Sequence, residues 1–244
     1  GQLGPDAFTS EDMADTMALC VGCKGCKREC PTGVDMARMK IEFKHHYNKR
    51  HGLKLRERLV AYLPRYASIA SKFGGLLGLR DTIPALAWLS EKTLGFSARR
   101  SLPKWHKAPF RADQEIPPIT PDSDPKKEVV LFADTFSTWF EPENARAALK
   151  VLQAAGYTVR HAAPQKNNRP LCCGRTFLAA GLVEEARSEM QRTLDALAPF
   201  ISRGVPVIGL EPSCVFTFRD EVQAILPNDD VAKKAARLCV SFEE

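Results

Sequence analysis

The chain has 244 residues, 44% of them hydrophobic and 26% charged, with a formal net charge of +6 and eight cysteines. That balance supplies enough apolar residues for a core, and the length is large for one domain and small for two large ones. No stretch approaches the roughly 18 consecutive apolar residues of a membrane-spanning helix, and no recognition motif or aromatic stacking series accompanies the basic charge, which argues against nucleic-acid binding.

Residues 8–51 read as helices around a cysteine loop. Thr9-Ser10-Glu11-Asp12 is an N-cap followed by acids in the first turn, where the helix dipole favours them. The loop itself is Cys20-Val-Gly-Cys23-Lys-Gly-Cys26-Lys-Arg-Glu-Cys30-Pro31. This C-x2-C-x2-C-x3-C-P spacing is that of iron–sulfur ligands, so a [4Fe-4S] cluster on Cys20, Cys23, Cys26 and Cys30 is expected. A structural zinc site would instead take two C-x2-C hooks set a dozen or more residues apart. Gly22 and Gly25 let the backbone curl and turn N–H groups toward sulfur, and Pro31 ends the helical conformation after the last ligand. Lys24, Lys27 and Arg28 are placed to offset the charge of a thiolate-ligated cluster. In two-cluster ferredoxins the fourth cysteine of such a run serves the other cluster. Either Cys30 closes the local cluster, or it serves a second one whose ligand run lies outside this chain. The ends, Gly1 and Glu244, are read as those of a piece of a longer polypeptide.

A second helix is expected from Val34-Asp35-Met36, and helical pattern continues over 52–105 with breaks at Pro64, Gly74-Gly75 and Pro84. Much of the basic excess lies in Lys40–Arg58, a solvated helix face or a surface that meets an anionic membrane or an acidic partner. Leu59, Leu63, Ile69, Phe73, Leu76 and Leu77, then Ile83–Leu89, form apolar stripes read as core, with a membrane surface as the alternative. Prolines crowd residues 103–127 and mark a linker. Beyond it strand and helix alternate: a strand at Glu128–Ala133, a helix at Pro142–Gly156, a strand at Tyr157–Ala162, a helix at Leu182–Ser202, a strand at Val205–Leu210, and helices at 215–226 and 229–240. This alternation predicts a parallel sheet. The expected fold is therefore α+β overall: an all-helical, ferredoxin-like iron–sulfur domain over 1–105, a Pro-rich linker over 106–127 and an α/β domain over 128–244.

Ligands in such sheets gather beyond the carboxyl ends of strands. Three segments fall there: Asp134-Thr-Phe, Cys172-Cys173-Gly174 and Glu211-Pro-Ser-Cys214. Adjacent cysteines grip a cluster or bridge two irons; the alternative is a pair of buried thiols with Gly174 needed for the backbone. His161, after the second strand, is a candidate additional ligand, though a lone histidine at a strand end is more often an ordinary surface or core residue.

Leu171-Cys172-Cys173-Gly174-Arg175 with Glu211-Pro212-Ser213-Cys214 resembles one repeat of the cysteine-rich CCG domain. That domain occurs in heterodisulfide reductase subunits, glycolate oxidase iron–sulfur subunits and anaerobic glycerol-3-phosphate dehydrogenase subunits. Preceded by the C-P run, the chain is similar to the C-terminal portion of proteins that join an FAD-linked oxidase module to ferredoxin and CCG modules and act on D-2-hydroxyacids. Leu131–Glu143 is especially like that group. The usual repeat has a cysteine after its first strand and a C-x2-C at its end; here Asp134-Thr135 and Glu211 stand at those places, leaving Cys172, Cys173 and Cys214. The resemblance implies a single, truncated repeat with a second metal or redox site at Cys172, Cys173, Cys214, Asp134 and Glu211.

It further implies a relay: FAD in a fused or separate dehydrogenase module takes electrons from a D-lactate, glycolate or D-2-hydroxyglutarate type substrate, and iron–sulfur centres pass them to a quinone or other carrier. No flavin-binding loop or catalytic base is identifiable, so no catalytic residue is assigned here. The rivals are a heterodisulfide reductase-like thiol/disulfide redox protein and a non-catalytic docking scaffold. Cysteines clustered as metal ligands suit a reducing compartment, so a cytoplasmic location is expected, peripheral to the inner face of the membrane.

Overall fold

The computed structural model of the chain describes Gly4 and residues 6–118, 124–165 and 169–244. Packing groups the chain into two compact units, Gly1–Tyr62 with Thr176–Ala186, and Leu63–Arg175 with Arg187–Glu244. These units do not follow the compositional boundary at 106–127, of which residues 119–123 lie outside the described residues.

The first unit is helical: α1 (Glu11–Ala18), α2 (Gly25–Glu29), α3 (Met36–His51) and α4 (Leu55–Ala61). Ser10 caps α1 by accepting from the Met13 N–H at 3.3 Å, and Asp35 caps α3 by accepting from the Arg38 N–H at 3.0 Å, so both helices start where a side-chain oxygen replaces the missing backbone acceptor. Met17, Ala37, Phe43 and Ala61 are buried. Residues 176–186 return to this unit by specific bonds. Thr176 Oγ1 donates to the Ala61 carbonyl at 2.9 Å, and Asn48 Nδ2 to the Ala180 carbonyl at 2.7 Å. Tyr62 meets Phe177 edge-on at 5.2 Å. Gly181, at φ +74°, lies so close to Lys44 and His45 that an added Cβ would come within 2.6 Å of their backbone.

The second unit opens with α5 (Leu63–Ala70), α6 (Gly74–Thr82) and α7 (Pro84–Leu94). Pro64 and Pro84 sit in first turns, where a missing N–H costs nothing. The apolar stripes here are not core as the sequence predicts: Ile69, Phe73, Leu76, Leu77, Trp88 and Leu89 are all exposed, and only Ala67 and Ala87 are buried among the apolar residues of 65–94. Helical periodicity identifies an apolar face but not what covers it.

After α8 (Ala112–Glu115) comes the sheet, whose four strands are all parallel in the order β2-β1-β3-β4: β1 (Glu128–Phe132), β2 (Thr158–Arg160), β3 (Val207–Gly209) and β4 (Cys239–Ser241). Val129 pairs with Val159, Val130 with Val207, and Ile208 with Val240. All five residues of β1 are buried, as befits a central parallel strand covered on both faces. One face carries Val129, Leu131, Leu149, Val159 and Ile208, together with Phe110 and Ile116 from the proline-rich stretch. On the other, Phe132 meets Phe218 edge-on at 5.3 Å. The helices are α9 (Thr135–Trp139), α10 (Pro142–Ala154), α11 (Arg175–Ala179), α12 (Val183–Ile201), α13 (Pro212–Phe216), α14 (Val222–Ile225) and α15 (Asp230–Leu238), with a π-helical turn at Thr217–Glu221 between α13 and α14. The α+β class with a parallel sheet is thus borne out. The helix predicted over 229–240 is corrected: α15 stops at Leu238 and the next three residues join the sheet. Three residues are too short to display period-two alternation, so pairing with β3 decides their state.

Candidate metal and redox centres

The first centre is the cysteine loop between α1 and α3. Its backbone is bent by three left-handed residues in the first half and its exit turn: Gly22 at φ +74°, Lys24 at +61° and Gly33 at +69°. Lys24 is the one non-glycine residue at positive φ among the described residues. The bend expected at Gly25 is thus taken by Lys24, and a Cβ on Gly25 would meet Cys23 Sγ at an ordinary 3.7 Å. Cys26 Sγ accepts from the Met36 N–H at 3.3 Å. Cys30 Sγ lies 3.1 Å from Thr32 Oγ1. That hydrogen bond, with backbone N–H groups of Val34, Thr32 and Gly33, brings the Cys30 thiol down to about 7 from an ordinary 9.0. Lys40 Nζ donates to the Cys20 carbonyl, and burial followed by the nearby Lys44 charge lowers its own value. Cys23 is exposed, while Cys20, Cys26 and Cys30 are half-buried; Leu19 and Val21 beside them are 83% and 86% exposed.

The second centre lies past the carboxyl ends of β1 and β3. Asp134 caps α9, accepting from the Phe136 N–H at 2.7 Å, the Ser137 N–H at 3.2 Å and the Ser137 hydroxyl. Glu211 caps α13, accepting from Ser213 Oγ at 2.9 Å. The first turn of α13 carries Cys214, whose Sγ is 3.0 Å from Cys173 Sγ. Gly209, the last residue of β3, lets α13 approach, since a Cβ there would collide with Val215. Cys172 is fixed from behind by Thr193 on α12: its N–H donates to Thr193 Oγ1 at 3.3 Å, and that hydroxyl donates to the Cys172 carbonyl at 2.8 Å. Gly174, at φ +84°, donates its N–H to Cys172 Sγ at 3.4 Å. All three thiols are buried.

The electrostatics are those of crowded acids. Its bond to Cys173, then burial, pushes Cys172 well up. Cys173 is helped by Cys172 but pushed well up by its bond to Cys214 and by burial. Cys214 is eased by Cys173 and raised by burial and by Asp134, Cys172 and Glu211. Burial also raises the Asp134 carboxyl, against its Ser137 and Phe136 hydrogen bonds and with Glu211 adding to the rise. Of the five residues singled out by sequence, Cys173 meets Cys214, Cys172 bonds Cys173, and Asp134 and Glu211 lie near enough to raise Cys214. His161 does not join them; burial lowers it, and the charges it senses are Asp113 and Arg160. Sequence reasoning missed Thr193, for which no motif signals a role. It also left Cys239 without one: Cys239, on β4, is buried against Phe132, Val207 and Phe218 and raised to about 12 by burial. Among the described residues no three His, Cys, Asp or Glu side chains are gathered closely enough to hold a single metal ion.

The four thiols of the N-terminal loop are close in sequence, at the spacing of iron–sulfur ligands, and N–H donors reach two of the sulfurs, those of Cys26 and Cys30. Comparison with known proteins points the same way. The chain is 26% identical over 227 residues to a D-2-hydroxyglutarate dehydrogenase of Pseudomonas putida, covering 88% of this chain and 22% of that protein. It is 24% identical over 177 residues to one of the subunits of the anaerobic glycerol-3-phosphate dehydrogenase of Escherichia coli K12, covering 72% and 43%. It is 28% identical over 192 residues to a probable glycolate oxidase iron–sulfur subunit of Bacillus subtilis, covering 71% and 40%. No family model and no solved structure matches. The resemblance read from the two cysteine motifs is thereby borne out, with the chain spanning less than half of each relative.

Proposed function

We propose that this chain is the iron–sulfur electron-transfer portion of an FAD-linked oxidoreductase. Its substrate would be a D-2-hydroxyacid of the D-lactate, glycolate or D-2-hydroxyglutarate type, and its electrons would leave to a quinone or another carrier. FAD and the substrate site belong to a fused or separate dehydrogenase module. The observation that carries this reading is the cysteine loop, with backbone donors on Cys26 and Cys30 sulfur, in one chain with the buried Cys172-Cys173-Cys214 group. A [4Fe-4S] cluster, when bound, supplies one-electron transfer. Cys20, Cys23 and Cys26 would hold it, with Cys30 completing the set or serving a second cluster outside this chain. N–H groups on the sulfurs stabilise the added negative charge of the reduced form. The exposed Cys23, Leu19 and Val21 leave an edge open to an electron partner. The second centre would bind a metal or an incomplete cluster through Cys172, Cys173 and Cys214, with Asp134 and Glu211 beside them; a cation there would relieve the crowding that raises these groups.

The test is anaerobic reconstitution with iron and sulfide analysis and EPR after reduction. Stoichiometric iron and sulfide, lost in Cys20→Ala, Cys23→Ala and Cys26→Ala, is expected; stoichiometric zinc without sulfide would sink the idea. One observation favours a second reading, a thiol/disulfide redox protein: Cys173 and Cys214 sulfurs lie 3.0 Å apart. Substituting Cys172 and Cys173 separates a redox or metal role of this centre, which both readings share, from a non-catalytic docking scaffold. Lost turnover of the assembled enzyme supports a redox or metal role, whereas lost assembly with intact N-terminal iron favours a docking scaffold. No helix among the described residues is long and apolar enough to cross a membrane. A cytoplasmic setting at the membrane periphery is part of the proposal.

A further inference from the structure

We propose that the helix pair α6–α7, with the basic loop that follows it, is a docking face for an anionic lipid surface. The inference is independent of the iron–sulfur reading and rests on different residues. Phe73, Leu76, Leu77, Trp88 and Leu89 are exposed, Leu76 by 67% and Trp88 by 59%. Scattered single exposures are ordinary, but this many large apolar side chains on two consecutive helices mark an interaction site.

Charge identifies the partner. Residues 63–107 contain eight Lys and Arg against two acids, net +6, the same as the formal charge of the whole chain. Both acids are committed internally. Asp81 holds Arg80 at 2.5 Å and accepts from the Leu102 N–H at 3.0 Å, and Glu91 accepts from the Ala98 N–H at 3.2 Å. Arg80, buried, also donates to the carbonyls of Phe96, Ser97 and Arg100. It therefore fixes the 96–100 loop against α6 in advance of any partner. By contrast Lys72, Lys92, Arg99, Arg100 and Lys104 are exposed and have no ion-pair partner among the described residues. In Lys40–Arg58, where the sequence alone places much of the basic excess, Lys44 pairs with Glu57 and Arg50 with Asp6.

Exposed Leu, Phe and Trp interleaved with Lys and Arg, with both acids hydrogen-bonded to the 98–102 backbone, is the composition of an interfacial element. The apolar side chains would enter the acyl boundary, the Trp88 ring would sit at headgroup level, and the cations would face anionic headgroups. A protein–protein interface core is instead depleted in lysine.

Flotation of the full chain, cluster-loaded, with phosphatidylcholine vesicles that do or do not contain phosphatidylglycerol tests this. Binding to the anionic vesicles, weakened by salt, is expected. Arg99→Gln and Arg100→Gln should each weaken it about fivefold, the roughly 1 kcal/mol assigned to a basic residue near such a surface. Leu76→Ser with Trp88→Ser should abolish it while leaving iron and sulfide content and the circular dichroism melt unchanged. Three results would overturn the proposal: no flotation of folded protein, flotation indifferent to these substitutions, or self-association by sedimentation that Leu76→Ser and Trp88→Ser remove. Loss of iron in the parent protein with flotation retained would count against the electron-transfer reading alone.

Discussion

Lys24 occupies a backbone conformation that costs a non-glycine residue roughly 1–2 kcal/mol, of which glycine would give back about 0.5–1 in chain entropy. Lys24→Gly is therefore expected to stabilise the metal-free chain by up to about 1 kcal/mol, read as a higher urea midpoint. An unchanged or lower midpoint would mean that the lysine side chain offsets the strain. At the start of β1, Glu128 is 8% exposed and accepts from Arg203 at 2.6 Å, with Arg160 at 3.3 Å. The Arg203 hydrogen bond holds its carboxyl below the usual range, against burial and with the Arg203 and Arg160 charges assisting. A depressed carboxylate adds stability that is present above its unfolded value and lost as pH falls through its folded value. Acid should therefore weaken the wild-type protein in that window, and Glu128→Gln should flatten this part of the profile while costing about 1–2 kcal/mol at neutral pH, since Arg203 is half exposed.

Two glycines decide how elements meet. Gly209 ends β3 where α13 must pass, so Gly209→Ala would push Val215 and the first turn of α13 outward at a cost of about 1–3 kcal/mol. Because that turn carries Cys214, faster alkylation of Cys214 should accompany the lower melting temperature; a melt shift without it would uncouple the strand end from the thiol group. Gly181 is more constrained, with both a positive φ and backbone neighbours at 2.6 Å. Gly181→Ala should release residues 176–186 from α3 and lower stability by more than about 2 kcal/mol.

At the scale of the molecule, the helical unit is completed by a segment more than a hundred residues downstream, held by Thr176, Ala180 and Tyr62–Phe177 contacts. A fragment ending at residue 105 lacks it. Such a fragment is expected to melt at lower temperature and with a broader transition than the same helices in the full chain, followed by circular dichroism; equal cooperativity would show that the return segment is dispensable. The segment leaves the α/β layers directly after Cys173 and Gly174, so the loop that carries the thiols also leads into the other unit.

By itself the sequence determined what is set by local spacing. The four-cysteine run, the caps at Ser10, the strand–helix alternation after residue 128 and the place of Asp134, Cys172, Cys173, Glu211 and Cys214 beyond strand ends all follow from short-range pattern. Tertiary structure alone decided which of those groups touch. Cys173 meets Cys214, and Thr193 fixes the Cys172 backbone, across tens of positions that no period encodes, while Gly209 admits α13 through its close approach to Val215. It also decided that β4 is a strand, that Phe110 and Ile116 of the proline-rich stretch join the core, and that the stripes of 69–89 face outward. Periodicity gives a helix an apolar side; burial depends on whether another surface arrives to cover it.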